Sequence, residues 1–218
     1  MRSVKIEAQC DEGVYMETEF KYRLDDTSVF DSIVETAASG KMGLEAVETI
    51  DMHAAYFDTE DYDFRKRGIA YRIRQEDDRC TATIKWDVNV KEGLHRREEF
   101  NLVVNDERFA LNPNIEIFIS SDAYDVLLEA AGDKPLKPTI SMDYERKQFK
   151  VDTGRSISCI SVDEGVIHHI DGHLVPVSEL EVEWYYGDED DFMELAHRIQ
   201  SKYGLETEDR SKLQRAFE

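Results

Sequence analysis

Charged and apolar side chains alternate along one stretch after another of this chain, and that period of two constrains its fold more than any other feature. Glu17, Glu19, Lys21 and Arg23 alternate with Thr18, Phe20, Tyr22 and Leu24, Arg72 and Arg74 with Tyr71 and Ile73, and Glu179, Glu181 and Glu183 with Leu180, Val182 and Trp184; Arg97 and Glu99 sit at the same spacing. Successive side chains of a strand point to opposite faces, so each stretch reads as a β-strand with one charged and one apolar side. The pattern predicts strands over Glu17–Leu24, Ala54–Phe57, Ala70–Arg74, Thr81–Trp86, Arg96–Val103, Tyr144–Val151, Ser156–Val162, Val166–Ile170 and Leu180–Tyr185. Asp77-Asp78 and Asp163-Glu164-Gly165 read as hairpin-type turns between them. Amphipathic helices are predicted at Thr27–Ser39, Asp122–Ala131 and Glu189–Tyr203, each stopped by a glycine (Gly40, Gly132, Gly204). The acidic run Asp188–Asp191 opens the last of them, where acids complement the helix dipole, and is read as a cap rather than a cation site. Many antiparallel strands with few helices give an α+β fold built on a sandwich or barrel.

Such strands can be used in two ways. The apolar faces can pack under helices with the charge facing water, or the sheet can close on itself with the charge inside, and alternation alone admits both. Residue type bears on the choice. The pair Arg72/Arg74 and the triplet Glu179/Glu181/Glu183 set like charges about 7 Å apart, which costs energy unless counter-ions bind between them. The chain offers two complementary sets for that purpose. Glu17, Glu19, Glu179, Glu181 and Glu183 form a hard-oxygen nest suited to Mg²⁺ or Mn²⁺. Lys21, Arg72, Arg74, Lys85, Arg97, Arg146 and Lys212 are the matching phosphate donors, and a metal-bound polyphosphate needs both sets.

Composition narrows the partners. With 27 Lys and Arg against 48 Asp and Glu, the net charge of −21 repels nucleic acid and anionic membranes, so a bound polyanion must meet a concentrated local cluster of Lys and Arg. No long uncharged apolar run and no signal-like N-terminus is present, which predicts a soluble, cytoplasmic protein. At 218 residues one domain is expected. Cys10, Cys80 and Cys159 are odd in number and widely spaced, fitting buried or incidental thiols in a reducing compartment. His168, His169 and His173 surround a glycine-containing turn without a fourth ligand, and are read as surface hairpin residues rather than a zinc site. Phosphate-loop, dinucleotide and serine-hydrolase motifs are missing from the sequence.

The ordered motifs are identifiable as a family pattern. Glu17-Thr18-Glu19-Phe20-Lys21 resembles the ExExK signature that opens CYTH proteins, the triphosphate tunnel metalloenzymes. It is followed in order by segments at 56–59, 71–74, 83–86, 93–101 (Gly-Leu-His-Arg-Arg-Glu-Glu-Phe-Asn), 143–146, 162–165, 178–183 (Ser-Glu-Leu-Glu-Val-Glu) and 211–215 (Ser-Lys-Leu-Gln-Arg). The 93–101 and 178–183 segments are most similar to the bacterial inorganic triphosphatase branch. The resemblance implies a closed eight-stranded antiparallel barrel with a charged interior and flanking short helices, acting with Mg²⁺ or Mn²⁺ on a small-molecule triphosphate, inorganic tripolyphosphate first. Thiamine triphosphate hydrolysis, cyclisation of ATP by a class IV adenylate cyclase, and polyphosphate binding without catalysis are the alternatives. By motif, Glu17, Glu19, Glu179 and Glu181 would bind metal, with Glu183 and Asp163 as further ligands and Glu99 beside them, while the seven Lys and Arg hold phosphate. Glu17, Glu19 and Lys21 are the expected catalytic residues, one carboxylate of the Glu17/Glu19 pair orienting the attacking water. Residues 1–15 read as an N-terminal extension to a tunnel domain over 16–218, in a monomer or homodimer.

Overall fold

The computed structural model describes residues 13–40, 43–77, 79–104 and 113–218. Its strands in chain order are β1 (Tyr15–Arg23), β2 (Gly43–Leu44), β3 (Glu48–Thr59), β4 (Ala70–Glu76), β5 (Arg79–Lys91), β6 (Leu94–Val103), β7 (Leu136–Asp152), β8 (Ser156–His169), β9 (Leu174–Gly187) and β10 (Glu206–Thr207). The helices are α1 (Val29–Ser39), α2 (Asp63–Lys66), α3 (Asp122–Ala131), α4 (Glu189–Tyr203) and α5 (Lys212–Arg215), with a 3₁₀ turn at Ile115–Phe118. Eight long strands follow one another in the order β1-β6-β5-β4-β3-β7-β8-β9, and β9 pairs back to β1, so the antiparallel sheet closes into a barrel. The expected eight-stranded barrel is therefore present.

Closure resolves the two uses of the alternating strands. Phe20, Tyr22, Ile160, Val162, Leu180 and Val182 point outward and are covered by Phe30, Ile33 and Ala37 of α1 and by Phe192, Leu195, Ala196 and Ile199 of α4. On the opposite side Tyr71, Ile73, Ala82, Ile84 and Phe100 lie under Ala123, Leu127 and Ala130 of α3 and under Phe118. Each of the larger aliphatic and phenylalanine side chains among these, fully buried, is worth about 1.5–3 kcal/mol, which fixes the register and leaves the charged positions facing in. Asp188 caps α4, its carboxylate accepting the Asp191 backbone N–H at 3.2 Å, as the sequence predicts.

Two features depart from expectation. Asp163-Glu164-Gly165 is not a turn: β8 runs unbroken through it, in register with Arg146, Glu145 and Tyr144 of β7. Gly165 is required there by close approach, because a Cβ would lie 2.2 Å from the Asp143 carbonyl oxygen and 2.4 Å from the Tyr144 Cβ. The interior, moreover, is not charged along its whole length. At one end Met52, Ala54, Tyr56, Ile140, Met142, Tyr144, Ile167 and Val177 form an apolar cluster that receives Leu213, Ala216 and Phe217 from the C-terminal turn, which stoppers the barrel. The hairpin expected at Asp77-Asp78 lies partly, and Cys10 wholly, outside the described residues; Asp77 itself has the positive φ of 48° that a tight turn needs.

Candidate active site

The tunnel is a cavity of about 390 Å³, at the small end of ligand pockets. On its β1–β6–β5 wall the ladder sets Glu17 opposite Arg97 and Lys85 opposite Glu99. Lys85 Nζ donates to Glu17 Oε1 at 2.7 Å and lies 2.5 Å from Glu99 Oε2. Arg97 Nε donates to Glu17 Oε2 at 2.9 Å, and its Nη2 reaches Glu19. Burial alone would raise the Glu17 carboxyl, but the charges of Arg97, Lys85 and Lys21 outweigh it and hold the group below the usual carboxylate range. Glu19 goes the other way: burial and the charge of Glu17 raise it despite Lys21 and Arg97.

A second cluster lies on the β7–β8–β9 wall. Carboxylate oxygens of Asp163, Glu179 and Glu181 come within 4.8 Å of one another. They are already held by cations. Arg146 donates from Nε to Asp163 at 2.6 Å and from Nη2 to Glu181 at 2.6 Å. Lys212 Nζ lies 2.7 Å from Asp163 and 3.1 Å from Glu181 and also pairs with Glu179, which Arg215 reaches too. Lys21 bonds Glu181 and lies 3.1 Å from Glu19. Burial opposes ionisation of Asp163 and Glu181, and Arg146, Lys212 and, for Glu181, Lys21 overcome it, so both stay below the ordinary carboxylate value. Lys212 and Arg215 reach this cluster because Ser211 opens α5 with a capping box, its Oγ accepting the Gln214 N–H at 3.1 Å while Gln214 Oε1 accepts the Ser211 N–H at 2.7 Å.

Two charges differ from this pattern of paired ions. Arg72, on β4, makes no ion pair among the described residues; its Nη2 donates only to Thr83 Oγ1 at 3.3 Å and its buried Nε has no partner. Arg74 beside it pairs with Glu76 and also keeps an unpartnered Nε. Glu183, on β9, has no cation or hydrogen-bond donor on its carboxylate among the described residues. Burial, and then the charges of Glu17, Glu19 and Glu99, push it up to about 8. The tunnel thus holds a guanidinium without a direct ion pair on one wall and a crowded carboxyl without one on another.

Glu17, Glu19, Lys21, Arg72, Arg74, Lys85, Arg97, Arg146, Glu181, Glu183 and Lys212 all line the cavity. Asp163 and Glu179 lie beneath Lys212 and are fully buried. Arg215 was missed as a site residue, although its i+3 spacing from Lys212 puts both on one side of a helical turn. Tyr15 and Asn101, which line the cavity, were also missed: no charge alternation marks them. His95 is buried with Nε2 2.8 Å from the Glu208 carbonyl oxygen and an unpartnered Nδ1. His169, Asp171 and His173 gather on the β8–β9 hairpin, with Asp171 accepting the His173 N–H at 3.1 Å as in an ordinary turn, and do not join the tunnel. Among the described residues no helix is long and apolar enough to cross a membrane.

The profile of the CYTH domain matches residues 16–217. An inorganic triphosphatase of Haemophilus influenzae is 28% identical over 163 residues, which is 74% of this chain and 44% of that protein, so the chain spans less than half the length of this relative. Among solved structures, a candidate adenylyl cyclase from Hippeastrum, described as having a dominant triphosphatase activity, aligns with a TM-score of 0.68 at 18% identity, covering 90% of this chain and 93% of that one. A candidate adenylate cyclase from Bacillus halodurans aligns with a TM-score of 0.60 at 18% identity over 94% and 100% of the two chains. Both share the barrel.

Proposed function

We propose that this chain, which belongs to the CYTH domain family, hydrolyses a triphosphate inside its tunnel with the help of a divalent cation, inorganic tripolyphosphate being the favoured substrate. One observation carries the reading: the tunnel presents an unpaired guanidinium, Arg72, and an unpaired carboxyl, Glu183, on opposing walls. A phosphate chain satisfies the first and a cation the second. The inorganic triphosphatase relative supports the substrate class.

The donors around Glu183 fit a hard cation. Glu17 and Glu19 are paired with Lys85, Arg97 and Lys21, but Glu183 beside them is unpaired among the described residues, and burial, then the charges of Glu17, Glu19 and Glu99, raises it to about 8; this all-carboxylate donor set suits Mg²⁺ or Mn²⁺. These three would hold the metal, which when bound supplies positive charge to phosphate oxygens. Asp163, Glu179 and Glu181 would take a metal only in exchange for Lys212 and Arg146, and their present part is to fix those cations.

The chain's own groups then divide the work. Arg72 and Arg74 grip phosphate oxygens from the β4 wall, and Lys21, Lys85, Arg97, Arg146 and Lys212 supply the remaining positive charge. Water attacks the terminal phosphorus, the bond to the bridging oxygen breaks, and pyrophosphate leaves with its developing charge met by Lys21 and the arginines. A carboxylate of the Glu17/Glu19 pair orients that water.

The test is phosphate release from tripolyphosphate, ATP and thiamine triphosphate with Mg²⁺ or Mn²⁺, in wild type and in Glu17→Gln. Metal-dependent cleavage of tripolyphosphate that the variant loses is the expected result. Cyclic AMP from ATP without phosphate release would make the protein a cyclase, and tight binding without any turnover would make it a binding module.

A further inference from the structure

We infer that Tyr15, one residue outside the stretch matched by the family, is a positioning residue that holds Lys85 in place through Glu99. Its ring is at the mouth, 41% exposed, yet its hydroxyl donates inward to Glu99 Oε1 at 2.8 Å. Asn101 Nδ2 donates to the same Glu99 oxygen at 2.6 Å and to the Tyr15 hydroxyl oxygen at 2.8 Å. The direction of every proton in this chain of contacts is set. Arg72 donates to Thr83 Oγ1, Thr83 donates to Asn101 Oδ1 at 2.6 Å, Asn101 donates to Tyr15, and Tyr15 has only Glu99 left to donate to.

Two neutral donors on Oε1 leave Oε2 to face Lys85 as an ion-pair neighbour 2.5 Å away, with no hydrogen bond of its own among the described residues. The ammonium is therefore shared between Glu99 and Glu17, which it reaches at 2.7 Å. Without the tyrosine proton, Glu99 turns more of its charge toward Lys85 and draws the ammonium off the tunnel axis toward β6. The same relay starts at Arg72, so one line of hydrogen bonds runs from the unpaired guanidinium of the β4 wall to Glu99, the ion-pair neighbour of the lysine on the β5 wall. β1 begins at Tyr15 and pairs it with Glu99, which gives the hydroxyl its reach.

The functional consequence rests on the triphosphatase reading, but the positional claim does not. Full-length Tyr15→Phe, Glu99→Gln and the double variant are compared by the ε-methylene NMR signal of Lys85 and by kcat and KM for tripolyphosphate with Mg²⁺. Tyr15→Phe is expected to move the Lys85 signal and to raise KM about fivefold, the worth of one lost hydrogen bond, with kcat within about twofold. In the Glu99→Gln background it should change neither. An unmoved Lys85 signal in Tyr15→Phe, or an equal effect with and without Glu99, overturns the inference. If wild type cleaves no triphosphate, the proposed function fails while the Lys85 signal still decides the role of Tyr15.

Discussion

Arg72 and Glu183 stand on opposite walls of the barrel, β4 and β9 being four strands apart in the closed ring of eight. One lacks an anion and the other a cation. Arg72→Met is expected to weaken tripolyphosphate binding at least tenfold while leaving the melting temperature unchanged or higher, since it removes a desolvated, unpaired charge. Calorimetric titration beside thermal denaturation checks both; a fall in stability matching the fall in affinity would mean that Arg72 is structural.

Glu183→Gln should lower Mn²⁺ affinity about tenfold, read by electron paramagnetic resonance in the absence of substrate. Undiminished Mn²⁺ binding there, and its loss in Glu179→Gln instead, would move the cation to the β8–β9 cluster.

Lys85→Ala leaves Glu17 and Glu99 facing each other without their shared cation. Breaking a buried pair in this way costs about 3–5 kcal/mol, measured by urea unfolding. Millimolar Mg²⁺ should restore more stability to this variant than to wild type, because a metal beside Glu17 replaces the missing charge.

Acid should expose His95. Burial and the nearby Lys21 and Arg97 outweigh its hydrogen bond to Glu208 and depress its folded-state pKa from 6.5 to about 4, so the fold favours the neutral ring. Its contribution is fully present above about pH 6.5 and is lost as pH falls toward 4, on the order of 3 kcal/mol in all. His95→Gln should flatten that part of the stability profile, seen in denaturation midpoints between pH 7 and 4.

Gly165→Ala discriminates strand from turn. In an open turn the change is mild, whereas here the new Cβ meets backbone and Tyr144 within 2.5 Å. A loss of about 1–3 kcal/mol is expected, checked by thermal denaturation.

The strands were legible because burial and charge alternate at period two, which put Phe20, Tyr22, Leu180 and Val182 against α1 and α4; that Glu17, Glu19, Lys21 and Glu181 face inward rather than into water was legible only from the ordered motifs, since alternation alone admits both. The Asp163–Gly165 segment misled because glycine and acids are the usual marks of a turn; only the approach of Tyr144 across the ladder explains the glycine, and only Arg146 explains the buried aspartate. Tyr15 was out of reach for a different reason. Its role comes from a hydroxyl meeting Glu99, 84 positions away, and no local pattern carries such a pairing. Which tunnel charges stay unpaired was likewise invisible, since like residues such as Arg72 and Arg97 differ only in what stands across from them.

Leu213, Ala216 and Phe217 pack into the apolar end of the barrel. If the tunnel acts on a triphosphate as proposed, a phosphate chain entering opposite that packing does so end first, and the piece cut from its inner end waits for the outer piece to depart. A tunnel acting in this way would trim chains from their tips and leave interior links alone, with a turnover sensitive to how quickly the outer fragment clears the doorway.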